Sequence, residues 1–207
     1  MKALIYFADP MCSWCWGFTP QIQKLGAYFS ERLPIGLVMG GLRAGTSEPV
    51  DAKMKDYLRS AWTSVAERSG QPFDFSFLDR DGFVYDTEPA CRAVVTIRDL
   101  APENALTFFT SIQRAFYADG FDPTATDTLA DLAVAAGVAR DDFIAAFEGV
   151  PMALKTAEDF QLGQRIGVRG FPTLVASDEN GLRLVSSGYR EVEDLVPLLE
   201  TWLGDAV

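Results

Sequence analysis

Cys12 and Cys15 are separated by Ser13 and Trp14 and stand just after a short apolar segment, Ala3 to Ala8. Two thiols at this spacing share one face of a helical turn and can close into a disulfide with little rearrangement. A thiolate in such a pair attacks a disulfide sulfur to give a mixed disulfide, and the second thiol then resolves it. At the start of a helix, free N–H groups and the helix dipole favour a thiolate, which makes Cys12 the expected nucleophile and Cys15 the resolving thiol. The chain has no histidine. Ser-His-Asp triads, Cys-His pairs, imidazole acid–base catalysis and His-ligated metals are thereby excluded together. A zinc site built on the pair would need two more ligands and only Cys91 remains, so no metal is expected.

This chemistry requires a strand-to-helix junction. Ala3 to Ala8 is apolar, short and bounded by Asp9-Pro10, as a buried strand is. Ile22, Leu25 and Phe29 then recur at helical spacing, with Pro20 able to kink that helix near its start. Between Pro34 and Gly40-Gly41, the run Ile35-Gly36-Leu37-Val38-Met39 reads as a second buried strand. Strand, helix, strand implies a right-handed parallel crossover.

From about Glu48 to Gly167 the pattern is helical: Met54, Tyr57, Leu58, Ala61, Trp62 and Val65 share one face, and further helices are expected over 91–100, 102–117, 128–136 and 141–147. Strands return at Thr173 to Ala176 and Leu182 to Ser186 and flank Asp178-Glu179-Asn180-Gly181, whose Asn-Gly favours a tight hairpin turn. A last helix is expected from Val192 to Leu203. The plan is α/β, in the order β-α-β, helical insertion, β-β-α. Residues 1–45 and 168–207 are expected to form one discontinuous domain and residues 46–167 an inserted all-helical subdomain.

Other residues admit two readings. Gly170-Phe171-Pro172-Thr173 leads into the third strand, where a proline costs no ladder hydrogen bond and can be purely structural. Asp9 either carries a proton for Cys15 or serves as the turn residue that Asp before Pro commonly is. Cys91 is a third redox thiol or a small buried apolar residue. Trp14, Trp16 and Phe18 rim the site or fill the core, with Trp14, between the cysteines, the one expected at the surface. The glycines form no dinucleotide or phosphate-loop fingerprint, so no nucleotide cofactor is implied.

At 207 residues, with 48% hydrophobic and 12% aromatic side chains, the chain can bury a core without covalent staples and is not of disordered composition. Its 29 acidic and 18 basic residues give a formal charge of -11, which repels phosphate backbones and anionic membranes, so neither nucleic acid nor membrane is an expected partner. An odd cysteine count argues against a secreted disulfide framework. Met1-Lys2 leads straight into Ala3-Leu4-Ile5-Tyr6-Phe7 and then Asp9-Pro10. No signal-peptide pattern and no membrane-length apolar run is visible, and a cytoplasmic location is expected.

Taken together, the residues resemble the thioredoxin superfamily, and within it the DsbA-like branch with its FrnE-type and predicted cytoplasmic disulfide isomerase members. The resemblance covers nearly the whole chain. It rests on Asp9-Pro10-Met11-Cys12-Ser13-Trp14-Cys15-Trp16-Gly17 after strand one, on Pro20, on Gly167-Val168-Arg169-Gly170-Phe171-Pro172-Thr173 before strand three, and on the helical block where that branch carries its inserted domain. It implies a thioredoxin-like fold and a redox-active Cys12–Cys15 disulfide exchanging with protein or small-molecule disulfides and thiols, with glutathione a candidate co-substrate. It also implies that Pro172 is a cis-proline facing Cys12, that the Phe171 backbone pairs with an extended substrate segment, and that Ser13 and Trp14 contact substrate. Exported DsbA proteins often carry Pro-His between the cysteines, whereas Ser-Trp stands here. Kappa-type glutathione transferases and hydroxychromene carboxylate isomerases resemble the same architecture but typically bear a lone Ser where Cys12 stands. A non-catalytic peptide-binding module using the same groove is the third reading.

Overall fold

The computed structural model describes residues 2–204. β1 (Ala3–Ala8) runs into helix α1 (Ser13–Phe29), and a short 3-10 turn leads to β2 (Ile35–Met39). Six helices follow: α2 (Ala52–Ser69), α3 (Glu88–Leu100), α4 (Ala105–Tyr117), α5 (Thr126–Ala135), α6 (Arg140–Phe147) and α7 (Val150–Arg165). The chain ends in the hairpin β3 (Thr173–Asp178) and β4 (Gly181–Ser187) and in helix α8 (Val192–Gly204). This is the order the sequence predicts, with α7 added to it.

The sheet order is β2-β1-β3-β4. β1 pairs parallel with β2, Tyr6 opposite Leu37, and antiparallel with β3, Tyr6 opposite Leu174. β1 is therefore central and covered on both faces, which explains why its sequence is continuously apolar rather than alternating. Successive side chains point to opposite faces of a strand. Tyr6 packs on Phe18 of α1 and Phe109 of α4 at ring separations of 5.8 and 6.0 Å, while Phe7 lies on the other side, beside Gly163 of α7. The hairpin turn falls on Asp178-Glu179-Asn180-Gly181, as expected. Glu179 and Asn180 form the loop, Gly181 opens β4, and Asn180 N–H donates to the Asp178 carboxylate at 2.8 Å.

Two local features set where the cysteines sit. Cys12 is the N-cap of α1, with extended backbone (φ -90, ψ 115). Gly17, one turn further on, lies so close to α2 that an added Cβ would stand 2.7 Å from Val65 Cγ1, so the first turns of α1 are pressed against the helical region. Across the sheet, α7 is held by a partly buried ion pair. Arg98 of α3 donates to Asp159 at 2.7 and 3.0 Å and to the Leu37 carbonyl at 2.6 Å, and the Met39 amide donates to Asp159 at 2.8 Å.

The buried positions of α7, Met152, Thr156, Asp159 and Gly163, recur at helical spacing but are mostly polar or small. A hydrophobic pattern therefore does not reveal the helix. Removing Asp159 leaves the buried Met39 amide without its acceptor and Arg98 without its partner. Asp159→Ala should lower the free energy of unfolding by about 2 kcal/mol, read from the urea midpoint; a loss below about 0.5 kcal/mol would contradict the role given to the pair.

Candidate active site

The three cysteines are free thiols. Cys12 retains 6% of its surface and Cys15 none, so a molecule arriving from solvent meets Cys12 first. The Cys12 side chain makes no capping hydrogen bond to its own helix. Its thiol instead lies 3.5 Å from the carbonyl of Phe171, to which it donates. The Phe171–Pro172 peptide is cis, Phe171 is half-buried and Pro172 buried. The structure thus brings Cys12, Cys15, Phe171 and Pro172 to one place, although 159 residues separate Cys12 from Phe171.

Gly40, at the end of β2, provides a seat for Phe171. A Cβ there would fall 2.1 Å from Phe171 Cζ, so any larger residue displaces the ring and with it the carbonyl opposite Cys12.

The electrostatics of the two thiols differ. Burial pushes the Cys15 thiol well above the usual range, and the neighbouring Cys12 thiol, first by hydrogen bonding and then by charge, pushes it the same way; the Asp9 N–H opposes this. A group so held stays protonated until its environment changes.

Asp9 is fully buried. Its carboxylate accepts the Met11 amide at 2.8 Å, the Leu42 amide at 2.7 Å and the Cys91 thiol at 3.5 Å. Burial raises its pKa, and the hydrogen bonds from Leu42, Met11, Thr87 and Cys91 act in the opposite sense. Cys91, in α3 and wholly buried, is pushed up by burial and by the Asp9 charge and so is held as a thiol donor to that carboxylate. Asp9 and Cys91 therefore adjoin the pair through the Asp9 backbone. Among the described residues no group of three His, Cys, Asp or Glu side chains is arranged to hold a metal ion.

Residues 3–200 match the family model of the DSBA-like thioredoxin domain. This chain belongs to that family. It is 38% identical to a putative protein disulfide isomerase from Nitrosomonas europaea, covering 100% of this chain and 99% of that one with a TM-score of 0.94. It is 27% identical to the cytosolic disulfide reductase DsbM of Pseudomonas aeruginosa (99% and 100% covered, TM-score 0.83), a protein also solved with GSH. A ClpXP adapter protein SpxH from Halalkalibacterium halodurans is 25% identical over 96% of this chain, which spans 66% of that relative's length. The family and its disulfide reductase and isomerase neighbours support an oxidoreductase or isomerase role.

Around the cysteines of this DSBA-like domain, Ser13 and Trp14 are half-buried, whereas Trp16 and Phe18 are core. Of the three aromatics considered for a rim, Trp14 alone keeps a substantial exposed surface. Its ring lies 6.1 Å from that of Tyr189, and Tyr189 is itself fixed by Gln21 at 3.2 Å, by Glu191 at 3.1 Å and by the Arg68 guanidinium 4.9 Å above its ring. On the other side, the Tyr85 hydroxyl donates to the Met11 carbonyl, and Trp16 stacks on Tyr117 at 10°. None of Tyr6, Gly40, Tyr85 or Tyr189 is singled out by motif reading. A tyrosine in an apolar run reads as core, and a glycine at a strand end reads as a turn.

Because the folded protein raises the Asp9 pKa above its ordinary 3.8, stability contributed by the protonated carboxyl is complete below that value and is lost as pH rises through the folded pKa. The stability of Asp9→Asn relative to wild type should therefore grow in favour of the variant as pH is raised from below 4 to neutrality. Unfolding curves across that range check it, and a difference that stays flat or shrinks contradicts the shift.

Proposed function

We propose that this chain is a thiol-disulfide oxidoreductase or isomerase working through the Cys12-Ser13-Trp14-Cys15 dithiol. The observation that carries the reading is the inequality of the two thiols, one at the mouth of α1 against the Phe171 carbonyl and the other wholly buried beneath it. Cys12 attacks a substrate disulfide R–S–S–R′, giving Cys12–S–S–R and releasing R′–S⁻, which takes a proton. Cys15 then attacks the Cys12 sulfur. The bond from Cys12 to the substrate breaks, the Cys12–Cys15 disulfide forms, and the proton of Cys15 ends on the departing R–S⁻. The reverse sequence oxidises a dithiol substrate.

In this reading Phe171 and Pro172 line the substrate edge, with the Phe171 backbone accepting an extended segment as an added strand. Ser13 and the exposed part of Trp14 complete that edge. Residues 1–45 and 168–207 form the thioredoxin-like part and 46–167 the helical insert. Asp9 and Cys91 act from behind the pair. No helix among the described residues is long and apolar enough to cross a membrane. With the cytosolic DsbM as a neighbour, a cytoplasmic setting is proposed, where a reducing thiol pool makes reduction or isomerisation the natural direction. The GSH-bound structure of that neighbour supports glutathione as the thiol that regenerates the dithiol.

The test is turnover of insulin and of a glutathione–peptide mixed disulfide by wild type, Cys12→Ser and Cys15→Ser, with adducts trapped by mass spectrometry. Cys12→Ser should lose at least about 100-fold in rate, and Cys15→Ser should accumulate a mixed disulfide on Cys12. Unchanged turnover in both variants would overturn the proposal.

A further inference from the structure

The mechanism above leaves one buried polar group beside the cysteines without a task. Tyr6, in the middle of β1, has no exposed surface, and its hydroxyl is buried with no hydrogen-bond partner. A buried donor left unmade costs about 1–3 kcal/mol, and such groups call for an explanation, redox or catalytic roles among them. The ring is fixed between Phe18 and Phe109. Phe18 lies three residues after Cys15, on the same face of α1, so the clamp holds the ring on the side of β1 that faces the turn carrying Cys15, and after burial itself Cys15 is the neighbour that bears most on the phenol. The nearby Thr19 hydroxyl does not compete, since its one proton is shared between the Cys15 carbonyl at 3.1 Å and Gln113 Oε1 at 2.6 Å.

We propose that the Tyr6 hydroxyl is the hydrogen-bond donor that holds the resolving sulfur, Cys15, whenever that sulfur carries negative charge. This rests on the dithiol reading and adds a residue to it. In the dithiol form the hydroxyl faces a thiol and stays unpaired. As Cys15 loses its proton to attack Cys12, Tyr6 O–H and Asp9 N–H converge on the thiolate, two donors replacing the water that burial excludes. The same donors receive Cys15 when an incoming thiol opens the Cys12–Cys15 disulfide and Cys15 departs as the thiolate. Tyr6 gives up no proton in either direction. Burial holds its phenol well above the usual range, so it keeps its proton and remains a donor at neutral pH. The titratable groups that bear on Cys15 are Cys12, Asp9 and Tyr6 itself, with Cys91 acting through Asp9.

The experiment uses the reduced full chain and one equivalent of 5,5′-dithiobis(2-nitrobenzoate). One coloured thiolate is released when Cys12 attacks and a second when Cys15 resolves the adduct, so the two steps are read separately. Tyr6→Phe keeps the ring and removes only the hydroxyl. It should leave the first release unchanged, slow the second by about tenfold or more, and move the pH profile of the second release to higher pH. Phe109→Leu loosens the ring's packing but retains the hydroxyl and should leave the second release near wild type. An unaltered second release in folded Tyr6→Phe, or equal slowing in both variants, would overturn the proposal. Should Tyr6→Phe fail to fold, replacement of Tyr6 by 3-fluorotyrosine, a stronger donor, must accelerate the second release, and no acceleration overturns it. Failure of the dithiol reading looks different: wild type then gives no second release, or Cys12→Ser retains the first, and the role of Tyr6 falls with it.

Discussion

Burial distinguishes two side chains of the same chemistry. Cys12 and Cys15 are three residues apart, yet one, at the N-cap of α1, keeps a narrow opening to solvent and the other is sealed beneath it with no accessible area. Removing water from a thiol disfavours its charged form, so the inner sulfur stays protonated while the outer one keeps an opening to solvent. Much of the surrounding structure serves this asymmetry. The central strand β1 supplies the floor, Gly17 lets α2 close over the first turns of α1, and the Phe171 carbonyl stands opposite the outer thiol.

The second constraint is how the short loop after β1 is kept in place. The Asp9 carboxylate joins three segments, accepting from Met11 beside the cysteines, from Leu42 after β2 and from Cys91 in α3. A buried carboxylate is tolerable only when its oxygens are occupied, and here the occupants come from the loops that follow β1 and β2 and from the helical region alike. Tyr85 reinforces the same loop through the Met11 carbonyl. The position of Cys12 therefore depends on contacts made far away in sequence, and the helical region contributes to the site as well as adjoining it.

Local patterns in the sequence reveal the strand-helix-strand opening, the cysteine pair at its junction and the closing hairpin and helix, because each depends on neighbours within a few residues. Helix α3 starts three residues earlier than its apolar spacing indicates, at Glu88, since Pro89 occupies a first-turn position where the missing N–H costs nothing. Helix α7 escapes notice because its inward face is Met152, Thr156, Asp159 and Gly163, whose burial is explained by an arginine on another helix and by a phenylalanine on β1. The site divides in the same way. Cys12, Cys15 and the Phe171-Pro172 dipeptide carry motifs, whereas Tyr6 and Gly40 owe their place to partners distant in sequence, Tyr6 to Phe109 and Gly40 to Phe171. Residue type alone makes such positions look like ordinary core or turn.

The central claim, that burial separates the two thiols, is tested most directly by timed alkylation of the reduced native chain with iodoacetamide at neutral pH, followed by peptide mass spectrometry. The account predicts that Cys12 is labelled first, at least about 100-fold faster than Cys15, with Cys15 and Cys91 reacting fully only after denaturation. Labelling of Cys15 at a rate equal to that of Cys12 in the native protein would contradict it.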